Sequence, residues 1–103
     1  MARTPIHPGE ILADELIEMG ISGAQLARTL RVPANRISQI IAGKRAISAD
    51  TALRLARHFG TTPDFWMNLQ KIYELDLARQ SLGKALSRIP QRPTASALDS
   101  QRT

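Results

Sequence analysis

SGAQLARTLRVPANRISQIIAG, residues 22–43, is the stretch that decides the fold. Ser22 and Gln25 have the spacing of a capping box, in which the hydroxyl accepts from the Gln25 backbone and the Gln25 side chain reaches back. Leu26, Ala27 and Leu30 then recur at helical spacing. Arg31 and Val32 fill a turn. Pro33 suits the first position of a new helix, where its missing N–H would lack a partner anyway. Gly43 supplies a left-handed residue to end that helix. Two helices of roughly two turns each, joined by so short a turn, make a helix-turn-helix.

The second of these helices has two chemically different faces. At roughly 100° per residue, Ile37, Ile40 and Ile41 fall within one arc and call for burial. Asn35, Gln39 and Ala42 point the other way, with Arg36 and Ser38 on the flanks. Amides, a guanidinium and a hydroxyl are the groups that read base edges in a major groove. A merely solvated helix face carries the same residue types, so the surroundings have to separate the two readings.

Charge supplies some of that context. The chain of 103 residues carries a formal net charge of +5. Between residues 21 and 57, Arg28, Arg31, Arg36, Lys44, Arg45, Arg54 and Arg57 stand against Asp50 alone. Glu10, Asp14, Glu15 and Glu18 precede them with no base interspersed. A basic helix-turn-helix beside an acidic first helix fits an oriented polyanion-binding surface, although solubilising charge is the plainer alternative. A hydrophobic share of 43% supports one small core. No cysteine is present, so disulfides and thiolate metal sites are excluded. No apolar run reaches membrane-spanning length, and no signal-peptide pattern opens the chain. A soluble cytoplasmic protein with no cofactor, metal or membrane partner is expected.

Outward from the central stretch, residues 1–6 read as a loose arm in which Arg3 could touch DNA. Pro8 and Glu10 suit the first turn of an opening helix. In it Leu12, Leu16 and Met19 form a core stripe widened by Ile11 and Ile17, and Gly20 ends it. Lys44 and Arg45 lie in a loop suited to phosphates flanking the groove. Ser48 caps a fourth helix whose expected buried face is Ala52, Leu53, Ala56 and Phe59, with Gly60 as its stop. Thr62-Pro63-Asp64 opens a fifth. With no convincing alternating segment, the domain is all-α.

HPGEIL at 7–12, the helix-turn-helix, GKRAIS at 43–48, ALRLARHFGTTPDFWMNLQ at 52–70 and Tyr73 resemble the HigA/VapI antitoxins. These belong to the XRE group, whose lambda-repressor-like fold also occurs in lambdoid phage repressors. The resemblance covers residues 6–77. HPGE with PDFWMNLQ is its specific part, since the helix-turn-helix alone marks only a broad DNA-binding group. It implies a five-helix DNA-binding domain that acts as a homodimer on double-stranded operator DNA. It further implies repression of the protein's own operon and neutralisation of a RelE/HigB-like, mRNA-cleaving toxin. Carried over by position, the base-reading sites fall at Ala34, Asn35 and Gln39. Gly23 stands where phage repressors often have glutamine. Neither Ala34 nor Gly23 can make side-chain hydrogen bonds, so specificity should rest on Asn35, Arg36, Ser38 and Gln39. Ser22, Gln25, Lys44 and Arg45 are the expected contacts to the DNA backbone.

The fifth helix, 63–81, has two apolar stripes: Phe65, Leu69 and Ile72, and Trp66, Leu69, Tyr73 and Leu77. Either both are buried within one chain, or the face is too wide for a small core and pairs subunits. The second reading makes Trp66, Leu69, Tyr73 and Leu77 a dimer interface. Residues 82–103 read as a frayed helix end, weakened by Gly83, and a proline-broken polar tail expected to be disordered. The toxins that the resemblance implies bind RNA and should be basic, so acidic Glu10, Asp14 and Glu18 are candidate toxin contacts, with the tail as competitor. An enzyme is not expected: His7 and His58 join no metal-ligand spacing, and no phosphate loop or nucleophile elbow occurs. An XRE regulator without a toxin, and a protein-binding adaptor on the same scaffold, are the alternatives.

Overall fold

The structure, a computed structural model, describes residues 4–92. Those residues form helices α1 (Pro8–Met19), α2 (Gly23–Leu30), α3 (Ala34–Ile41), α4 (Ala49–Phe59), α5 (Pro63–Leu82) and a short α6 (Lys84–Ser87), with no strand among them. The expected five helices are present, and Gly83, at φ 50°, breaks the chain before the sixth. The tail expected to be disordered falls, from Pro93 on, outside the described residues, as does Arg3.

Most boundaries follow from local chemistry. The Ser22–Gln25 capping box is complete: Gln25 N–H donates to the Ser22 hydroxyl at 3.1 Å, and Ser22 N–H to the Gln25 side chain at 2.8 Å. Ser48 and Thr62 accept from the backbones of Thr51 and Phe65 to cap α4 and α5. Pro33 is the N-cap of α3 rather than its first residue. Beyond α3, Gly43 at φ 76° lets Lys44 N–H reach back to the Gln39 carbonyl at 2.8 Å. That reversal starts the loop carrying Lys44 and Arg45.

Leu12, Leu16, Leu26, Ala27, Leu30, Ile37, Ile40, Ile47, Ala52, Leu55, Ala56 and Trp66 make one core. Two expected stripes need correction. Met19 and Ile17 leave the core, Ile17 being 77% exposed, because α1 packs on α3 and α5 along its Leu12–Leu16 side. In α4, Leu53 is 59% exposed while Thr51 and Leu55 are buried, so the face is turned from the expected one. Ala52 and Ala56 do lie inside, and Phe59 packs at the edge.

Trp66, expected in a dimer interface, is 1% exposed within the single chain, and its indole N–H donates to Thr61 Oγ1 at 3.0 Å. It belongs to the core. Gln70, one turn on, is buried as well. Its Oε1 accepts from Ile47 N–H at 2.9 Å and its amide donates to Glu74 at 2.7 Å, fixing the loop between α3 and α4 onto α5.

Candidate nucleic-acid interface

The recognition surface depends on how α3 is held. Ile37 and Ile40 are fully buried and Ile41 is half-buried, which fixes the rotation of the helix about its axis. Asn35 and Ser38 consequently face solvent, and Gln39 is half-exposed. Ser38 Oγ donates to the Asn35 carbonyl at 3.3 Å.

Arg36 stands apart from these. Its Nη1 meets Asp50 at 3.0 Å, and Asp50 also accepts from Arg54 Nε at 2.8 Å. The Arg54 hydrogen bond, followed by the charges of Arg54 and Arg36, holds the Asp50 carboxyl below its usual value. Arg36 thus ties α3 to α4.

Arg54 has a second task that sequence reading missed. Its Nη1 donates to the Leu30 carbonyl at 2.7 Å and to the Arg31 carbonyl at 3.4 Å. Arg31 holds φ 62°, a left-handed conformation unfavourable for a residue with a Cβ. The turn of the helix-turn-helix is therefore clamped from α4. No local sequence rule connects residues 30 and 54.

In the loop beyond α3, Arg45 Nε donates to Gln39 Oε1 at 2.8 Å. Arg45 and Lys44 are exposed, as are Arg28 and Arg31 at the end of α2. Ser22 and Gln25, expected to touch the DNA backbone, are exposed at the start of α2 but occupied in its capping box. The arrangement can present amide and hydroxyl groups to a groove and cations to the phosphates beside it.

The other candidate residues lie elsewhere. Glu10, Asp14 and Glu18 are exposed on α1, with bare Ile17 among them. On α5, Leu69 packs against the core, Tyr73 is half-buried against His7, and Leu77 is exposed. Phe65, Met67, Ile72 and Leu75 are also exposed, adding to the apolar surface of that helix.

Residues 12–66 match the model of the Helix-turn-helix family. The chain belongs to that family. Virulence-associated protein I of Dichelobacter nodosus is 49% identical over 76 residues, which span 73% of this chain and 70% of that protein. An addiction module antidote protein of a HigA family from Coxiella burnetii has the same fold, with a TM-score of 0.83 and 50% identity over 86% of this chain and 98% of that one. The Pseudomonas aeruginosa antitoxin HigA, solved with the higBA promoter, gives a TM-score of 0.81 and 49% identity over the same shares, 86% and 98%. This helix-turn-helix chain is thus of the XRE, HigA-antitoxin type, a group of DNA-binding regulators rather than enzymes. No helix among its described residues is long and apolar enough to cross a membrane.

Proposed function

We propose that the chain is a homodimeric operator-binding repressor of its own operon and the antitoxin of a RelE-like, mRNA-cleaving toxin encoded beside it. The observation that carries the DNA half is the rotation of α3: Ile37 and Ile40 are sealed in the core, and Asn35, Ser38 and Gln39 emerge on the open side, Gln39 bonded to Arg45 of the following loop. Asn35, Ser38 and Gln39 read bases, joined by Arg36 once it exchanges Asp50 for DNA. Ser22, Gln25, Lys44 and Arg45 hold the backbone. The HigA relative solved with promoter DNA supports this assignment.

Pairing is assigned to the exposed part of α5. Leu77 continues the stripe of Trp66 and Tyr73 but is exposed, and with Met67, Ile72 and Leu75 it offers an apolar face that one chain leaves uncovered. The toxin half rests on α1, where Glu10, Asp14 and Glu18 surround an apolar group, Ile17, that the core does not use. Acidic groups around an apolar anchor suit a basic partner surface. Growth rescue on co-expression with the neighbouring gene tests this. The paired change Asp14→Lys and Glu18→Lys should weaken rescue and spare DNA binding, whereas deletion of residues 91–103 should leave rescue largely intact. The opposite pattern would move the toxin site to the tail.

A further inference from the structure

His7 sits where several parts of the molecule meet. Its Nδ1 accepts from the Gly9 backbone N–H at 2.9 Å and caps α1. Its ring stands edge-on to Tyr73 of α5, with centroids 4.8 Å apart and planes at 71°. A Cβ built on Gly43, where the chain leaves α3, would lie 3.9 Å from the same ring. The Arg45 backbone is a further neighbour. Two residues on, Gly9 lies so close to α3 that a Cβ there would collide with the Ile40 carbonyl. One imidazole therefore touches the start of α1, the loop after α3 and the helix assigned to pairing.

We propose that neutral His7 is a positioning residue for the DNA interface: it ties the loop carrying Lys44 and Arg45 to α1 and Tyr73, and its protonation releases that loop from α1 by ending the cap on Gly9. The inference rests on the reading of α3 and this loop as the DNA-binding surface.

A ring that accepts at Nδ1 is neutral, with its proton on Nε2. A second proton would be placed on Nδ1, facing the Gly9 N–H, donor against donor. The cap is lost and a buried ring becomes charged. The groups around it do not reverse this. Burial is the largest influence and holds His7 below its ordinary 6.5, opposed by the charge of Glu10 on α1 and by the Arg45 backbone. From α5, Tyr73 meets the ring edge-on, and Glu74 beside it is engaged by Gln70. With the folded value depressed, this contribution to stability is complete above about 6.5 and is lost as pH falls through the lowered value.

Protonation would also add positive charge beside a phosphate-binding loop, which by charge alone tightens DNA. The two effects have opposite signs, so a pH series separates them. The probe is a duplex spanning the region upstream of the protein's own gene, titrated with full-length chain from about pH 7.5 to about 5.5 at fixed salt. The comparison is His7→Asn, whose Oδ1 can still cap α1 but does not titrate. The wild type should weaken by roughly fivefold, the weight of one lost cap, while His7→Asn stays nearly flat. His58 is present in both proteins and cancels. Equal pH dependence in the two, or tightening of the wild type, overturns the proposal. If neither binds the duplex even at the higher pH, the DNA reading has failed instead. Backbone NMR of the free chain then decides: the amides of Gly9, Gly43, Lys44 and Arg45 should titrate with the His7 ring in the wild type and stay fixed in His7→Asn. Amides that do not follow the ring would likewise overturn it.

Discussion

Arg45 Nε donates to Gln39 Oε1 at 2.8 Å, joining a side chain of the recognition helix to the loop that follows it. The bond turns the amide oxygen toward Arg45 and leaves the NH2 group to donate. Donors match guanine O6 and N7, adenine N7 or thymine O4, and mismatch the N4 donor of cytosine. Gln39→Ala should cost roughly 1–3 kcal/mol at the operator and relax preference at one base pair. Gln39→Glu, which has no donor left, should disfavour the original base more strongly than Ala does. Binding to operators varied one position at a time measures both.

The same bond separates two cations that look equivalent in the sequence. Lys44→Ala should weaken all duplexes alike and flatten the salt dependence by about one unit. Arg45→Ala should do so too, and should also relax preference at the Gln39 position, because Gln39 loses the group that orients it. Salt titrations on matched and single-mismatch duplexes distinguish these outcomes.

Arg54 should matter more for stability than its half-exposed position suggests. Arg54→Met removes the donor to Leu30 and Arg31 and one of the two cations on Asp50. A loss of roughly 1–3 kcal/mol is expected, since a charged hydrogen bond disappears and a partly buried carbonyl is left without its partner. Thermal or urea unfolding reads this directly. A change within a few tenths would remove Arg54 from the clamp on the turn.

Leu77→Glu is the cleaner probe of pairing. Trp66 is sealed in the core and Tyr73 packs on His7, so substitutions at either would disturb the monomer. Leu77 is exposed, and a carboxylate there should leave the chain folded but monomeric by sedimentation. A folded dimer would place the interface elsewhere.

Much of the fold was legible because local rules carried it. The caps at Ser22, Ser48 and Thr62 and the stops at Gly20 and Gly60 are short-range chemistry, and the Ile37–Ile40 face is simple periodicity. Periodicity failed where apolar residues outnumber the space available. Ile17, Met19 and Leu53 fit helical stripes as well as their buried neighbours do, and only the packing of α1 on α3 and of α4 on α5 chooses among them. Trp66 fits a pairing stripe by spacing yet lies in the core, because its neighbours leave more room there than a small domain suggests. Long-range polar contacts left no trace in spacing. Arg54 meets Leu30 across 24 positions and Gln70 meets Ile47 across 23. HPGE is legible only as a pattern, since the cap of His7 and the close approach of Gly9 to Ile40 that account for it are contacts made in three dimensions.

The central claim is that α3 of a paired chain reads an operator, and footprinting on the DNA upstream of the gene tests it most directly. The account predicts protection of two inverted half-sites about one helical turn apart, roughly 34–36 Å, with Asn35→Ala and Gln39→Ala losing protection only on DNA that carries the matched bases. A footprint without inverted symmetry, or one weakened equally on every sequence by Asn35→Ala, would contradict it.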